Sequence, residues 1–289
     1  MLTSLSKILI VATWVGSMAW LVRFEAFPHL FDETVQGYRD LSSELPAMRD
    51  TWMQVVADGD HVGYLNSSIE MLDIEGREEL SMSTKLNLRV MFQGSNELLR
   101  FQNEVRLNPR KEILSSTSRV FMGGISGNLT LTPLEKEEYQ LDIEFNDVTF
   151  TRTITIPDEA IISSPLLDQM LRSVKAGQTL RIRAVDPFSI QGELQTIELR
   201  GIRTETKYLP RFDEFLEVTR VETHIGEMIF ESDVDEYGRV LWQKTPFGLT
   251  FLESSSSRAV NVPEGNAVNP TQLFSSSLLP QLLPEAALP

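Results

Sequence analysis

The sequence predicts a mainly β fold of the α+β kind: a curved antiparallel sheet or half-barrel over one helix, preceded by an N-terminal transmembrane helix. Three observations lead there. Apolar and polar side chains alternate with period two in run after run, as strands with one buried and one wet face require. Short turn signals separate the runs, and residues 8–22 form one uncharged apolar stretch near the N-terminus.

That stretch, ILIVATWVGSMAWLV, is bracketed by Lys7 and Arg23. As a helix it spans roughly 22 Å, short of the ~30 Å hydrocarbon thickness. Snorkelling by Lys7 and Arg23 makes up the difference, and Trp14 and Trp20 add interfacial character. Three readings stand: an uncleaved anchor with residues 1–7 inside, a signal peptide cut after Ser17-Met18-Ala19, and a buried helix of a soluble protein. Trp20, Leu21 and Val22 carry the apolar run past the cleavage site, which favours the anchor.

Four regions follow: residues 1–31 as anchor or signal, 32–51 as a juxtamembrane helix, 52–260 as an exported β-rich domain, and 261–289 as a flexible Pro/Ser-rich tail. In the second, Asp32 caps a helix through Val35, Tyr38 and Leu41 that Pro46 ends, spacing the anchor from the folded body. Next comes a hairpin, 52–56 and 61–69 joined by Ala57-Asp58-Gly59-Asp60, since Asp-Gly between apolar runs favours a tight turn. Leu86, Leu88, Val90 and Phe92 alternate with polar neighbours, as do Leu99, Phe101, Val105 and Leu107. So do Tyr139, Leu141, Ile143 and Phe145, and then Val148, Phe150, Ile154 and Ile156, with Arg152 on the apolar side. Asn108-Pro109, Gly123-Gly124 and Asn146-Asp147 mark turns, and Gly127 is read with its two neighbours.

One helix interrupts the strands at 164–175. Ser164 is its N-cap, Pro165 its first residue, Leu167, Met170, Leu171 and Val174 its apolar stripe, and Gly177 its stop. The concave side of the sheet is where that stripe buries. Strands resume at 179–185, 193–200, 214–224, 227–233, 239–243 and 249–253, with Asp235-Glu236-Tyr237-Gly238 as a hairpin turn. From Asn261 prolines and serines break the register, although Leu278, Leu279, Leu282 and Leu283 offer an apolar motif for a partner.

The 26 Lys plus Arg against 41 Asp plus Glu leave a formal charge of −15, which argues against nucleic acid and against polybasic attachment to anionic lipid. With no cysteine, disulfides, zinc–thiolate sites and cysteine nucleophiles are excluded. His29, His61 and His224 are too scattered for a zinc site, and no Gly-x-Ser-x-Gly elbow or Gly-rich phosphate loop occurs. Asp233, Asp235 and Glu236 lack calcium-loop spacing and read as a solvated turn. Asn66-Ser67-Ser68 and Asn128-Leu129-Thr130 match the glycosylation triplet. No catalytic, cofactor or metal residue is nominated.

Three stretches carry a resemblance: Trp52-Met53-Gln54-Val55-Val56 with His61-Val62-Gly63-Tyr64, residues 171–179 into Asp186-Pro187, and residues 235–240 followed by 245–249. Over residues 52–260 they resemble the non-catalytic β-rich domain upstream of bacterial transglutaminase-like cores. In style the region is also similar to periplasmic half-barrel proteins of the LolA type, which carry lipoproteins. The resemblance implies a half-barrel wrapped over a helix, with an acyl chain or lipoprotein as ligand on its concave side. The transglutaminase core itself is missing, since its nucleophile is a cysteine.

The function expected is a membrane-anchored cell-envelope binding or scaffolding module without catalysis, single-pass in a bacterial inner membrane, its C-terminal domain in the periplasm or outside. Its partners are then the membrane and an envelope protein. The alternative is a hydrophobic-ligand or lipoprotein carrier with a cavity lined by Leu86, Phe101, Ile143 and Phe150 and partly filled by Met170 and Leu171. A hydrolase using a carboxylate pair is the third.

Overall fold

The computed structural model describes residues 13–14, 17–18, 33–35, 37–38, 48–92, 94–146, 148–162, 174–185, 194–209, 213–236 and 238–268. Alternation becomes sixteen strands among them: β1 Glu33–Val35, β2 Met48–Ala57, β3 Asp60–Ile74, β4 Arg77–Phe92, β5 Ser95–Leu107, β6 Ile113–Met122, β7 Ile125–Pro133 and β8 Glu138–Phe145. The series continues with β9 Val148–Thr155, β10 Ala160–Ile162, β11 Thr179–Val185, β12 Leu194–Leu209, β13 Glu214–Ile225, β14 Met228–Asp235, β15 Val240–Lys244 and β16 Leu249–Ser254. One short helix, α1 Ser256–Val260, follows.

All strands join one sheet in the order β1-β11-β12-β13-β14-β15-β16-β2-β3-β4-β5-β6-β7-β8-β9, with β10 also on β11. Two runs of neighbouring hairpins therefore meet where β16 pairs with β2, Leu249 opposite Ala57 and Ser254 opposite Trp52. Pairing is antiparallel except at one margin, where β1 and β10 lie end to end along β11 in parallel. Among the described residues no pair links β9 to that margin, and the sheet they form is open. The Asp58-Gly59 turn between β2 and β3 has both φ values positive, at 50° and 91°, the twist a two-residue hairpin prefers.

One face supplies the core. Val55, Ile69, Val90, Val105, Leu107 and Leu141 on one run, with Ile182, Ile197, Leu199 and Val221 on the other, are completely buried in a single cluster. A completely buried leucine or isoleucine is worth about 2–5 kcal/mol against alanine, so this face dominates stability.

Several expectations are corrected. The helix foreseen over 32–51 does not run that whole length: Glu33–Val35 is a strand on β11 and residues from Met48 already belong to β2, while residues 36 and 39–47 lie outside those described. Tyr38 is buried in the core cluster, and its hydroxyl accepts the Ile162 N–H at 3.3 Å. Part of this segment is thus body rather than spacer. Gly127 lies inside β7, not in the Gly123-Gly124 turn. The tail does not begin at 261: Val268 is buried, its N–H donates to Arg89 O at 2.9 Å, and its carbonyl accepts the Met91 N–H at 2.8 Å. The helix foreseen at 164–175 and the anchor at 1–31 fall almost wholly outside the described residues. Among those described, no helix is long and apolar enough to cross a membrane.

Candidate functional site

Residues paired across an antiparallel ladder share a face, so the register converts into rows running across the sheet. One row on the core face runs Thr51, Ser67, Thr84, Asn103, Ser118, Leu129, Ile143 and Phe150, from β2 to β9. Everything from Thr51 to Leu129 is buried, Ile143 is half-buried, and Phe150 is 61% exposed. The adjacent row runs Met53, Leu65, Leu86, Phe101, Val120, Gly127, Phe145 and Val148. Met53 and Leu65 are buried, Leu86, Phe101 and Val120 half-buried, and Phe145 and Val148 about half exposed at 47% and 51%. The face that is core at β2–β4 is uncovered at β8–β9.

The uncovered corner is contiguous, because Phe145 stands opposite Val148 and Phe150 follows two residues along the same strand. On its other side burial returns: Leu141 is buried, with half-buried Arg152 opposite it on β9. Four lining residues expected from the sequence are brought to this face, with Leu86 opposite Phe101 and Ile143 opposite Phe150. Met170 and Leu171 lie outside the described residues. Phe145 and Val148 were legible as apolar-face positions, but nothing local marked them as uncovered.

Behind the corner lies a buried polar belt. Ser118 Oγ donates to Asn103 Oδ1 at 2.9 Å, and the Ser67 and Thr84 hydroxyls lie 3.5 Å apart. Ser116 Oγ, also buried, has no hydrogen-bond partner among the described residues. A polar row inside an apolar face weakens local burial and makes register unambiguous.

The remaining sequence candidates resolve individually. His61 Nε2 lies 2.9 Å from the Gly63 carbonyl oxygen of its own strand, and His224 Nε2 lies 3.2 Å from Glu222; His29 is outside the described residues. No metal-holding cluster of three His, Asp or Glu occurs among the described residues. The solvated turn expected at Asp233 and Asp235 is instead a pair of buried carboxylates. Asp233 accepts from Arg220 Nε at 2.6 Å and Lys207 Nζ at 2.8 Å, and Arg220 stacks over Trp242 at 4.8 Å. Asp235 accepts from Arg239 Nε at 2.6 Å and its backbone N–H at 2.7 Å. The Asn66 triplet is blocked: its amide is buried and donates to Asp50 Oδ1 at 2.6 Å and Thr51 O at 3.3 Å. Asn128 Nδ2 donates to Glu144 Oε2 at 3.1 Å.

No family model, curated protein or solved structure matches the chain.

Proposed function

We propose that the chain is a binding module of the bacterial cell envelope, without catalysis of its own, that takes an apolar ligand on the uncovered corner of its core face. The loss of burial along the two rows, ending at Phe145, Val148 and Phe150, is the observation that carries this reading. Scattered exposed apolar side chains are ordinary; three contiguous ones on the face that elsewhere forms the core mark a site. In this reading the sheet bends into a half-barrel, residues 1–31 hold the chain in the inner membrane, and the body lies in the periplasm or outside. The ligand is then an acyl chain or the lipid of a lipoprotein, as the LolA-type resemblance implies. A protein partner is the second reading, favoured by β9, whose outer edge carries no strand among the described residues and offers a place for strand addition.

Native mass spectrometry of the full chain in a mild detergent tests the proposal. The expected result is retained lipid mass on the wild type and its loss from the Phe145→Ser/Phe150→Ser double variant. Identical spectra for the two proteins refute the site; a retained peptide in place of lipid selects the second reading.

A further inference from the structure

On the opposite face of the sheet, the two runs of strands treat their cations differently. On β11–β14 the basic side chains meet acids: Arg181 and Arg200 bind Glu198, Arg203 and Lys207 bind Glu205, and Arg220 binds Asp233 and Glu231. On β4–β6 Arg106 likewise pairs with Glu104, but the positions opposite three other cations hold amides or an aromatic ring. Lys85 faces Asn66 and Gln102, Arg100 faces Asn87 and Phe121, and Arg119 faces Gln102 and Asn128. None of these three cations has an ion pair with a described residue. Arg100 is the diagonal neighbour of Lys85, Arg89 and Arg119, so four positive groups converge at spacings of about 7–8 Å. Glu104 is the diagonal acid beside Lys85 and Arg119, so the local positive field that the net charge of a chain with 41 acidic residues conceals is strongest at Arg89 and Arg100.

The cluster borders a groove of about 600 Å³. Arg89, Arg100, Asn87, Asn96 and Tyr64 supply its polar wall, and Leu98 with Val260 and Val262 an apolar one. The segment carrying the two valines is fastened by Gln54 Nε2 donating to Arg258 O at 3.3 Å and Arg89 Nη1 donating to Pro263 O at 2.7 Å. Glu97 stands in the lining as its one acid, accepting from Ser95 Oγ at 3.0 Å. Two arginines against one carboxylate, with amide donors between them, suit an anion of more than one charge and several accepting oxygens. We infer that this groove binds an organic phosphate monoester, its phosphate on Arg100 and the flanking amides and its apolar body against Leu98, Val260 and Val262.

Isothermal titration of the full chain with phenyl phosphate, and with inorganic phosphate beside it, tests the inference. Phenyl phosphate is expected to bind saturably and more tightly than inorganic phosphate. Arg100→Gln is expected to weaken it about tenfold, as loss of a charged hydrogen bond does, and Arg119→Gln less. Arg203→Gln removes the same charge from an exposed pair on β12 and is expected to change affinity less than about twofold. Flotation with phosphatidylcholine vesicles, with and without phosphatidic acid, identifies the source. Arg100-dependent capture by phosphatidic acid points to a lipid headgroup, and no capture to a free ester. The absence of saturable phenyl phosphate binding, equal affinity for inorganic phosphate, or an equal loss in Arg203→Gln overturns the inference.

Discussion

Replacing Phe150 by serine separates an uncovered face from a packed one. A phenylalanine moved fully from water into a core gains about 1.5–3 kcal/mol. Phe150 is 61% exposed, so well under half of that is at stake, and the residual burial is worth about 1 kcal/mol or less. One strand away, Leu141 is completely buried on the same face, and Leu141→Ala is expected to cost about 2–5 kcal/mol through lost transfer energy and the cavity left behind. Urea unfolding followed by far-ultraviolet circular dichroism measures both differences. The expected outcome is a small shift for Phe150→Ser, a large one for Leu141→Ala, and weaker binding of an apolar dye only in the first. A loss above about 2 kcal/mol for Phe150→Ser would mean that the ring is packed, and the ligand-binding argument would fail with it.

Three further outcomes follow from single contacts. A Cβ at Gly63 overlaps the Asn87 carbonyl oxygen and comes within 2.9 Å of Leu88 Cα, so Gly63→Ala is expected to force β3 and β4 apart and cost about 1–3 kcal/mol in a thermal melt. Tyr38→Phe leaves the buried Ile162 N–H without its acceptor, and a urea titration should show a loss of about 1–3 kcal/mol; no change would place Tyr38 outside the core. Hydrogen bonding from Arg200, joined by Arg181 and opposed by partial burial, holds the Glu198 carboxyl below its ordinary value. That contribution is fully present above the unfolded pKa of about 4.3 and is lost as pH falls through the lower folded value. Between pH 7 and pH 3 the wild type should therefore lose more stability than Glu198→Gln, as read from urea midpoints.

Where inward positions are apolar, the strands were legible from the residues alone; β11 runs over the very residues its alternation indicated. β6 was not, because its inward positions include Ser116 and Ser118, members of the polar belt, which erase the apolar period. Gly127 did the same to β7. β1 escaped notice because three residues carry no periodicity and its partner lies far along the chain. The docking of Val268 on Val90 is likewise non-local. For the site, alternation identified the face of Phe145 and Phe150 but not its exposure, which depends on what the rest of the chain covers. The outer cation cluster needed register as well, since Lys85, Arg100 and Arg119 are neighbours only once β4, β5 and β6 are paired.

The seam between β16 and β2 governs how such a molecule assembles. Each flanking run grows by neighbouring hairpins as the chain emerges, whereas the seam waits for the last strand to be synthesised. Until then two arms exist with raw margins at β2 and β15, the species most prone to wrong partners during biosynthesis. Closure is a long-range pairing of the kind that slows folding, and the same line is where mechanical or thermal stress is expected to split the sheet into two halves.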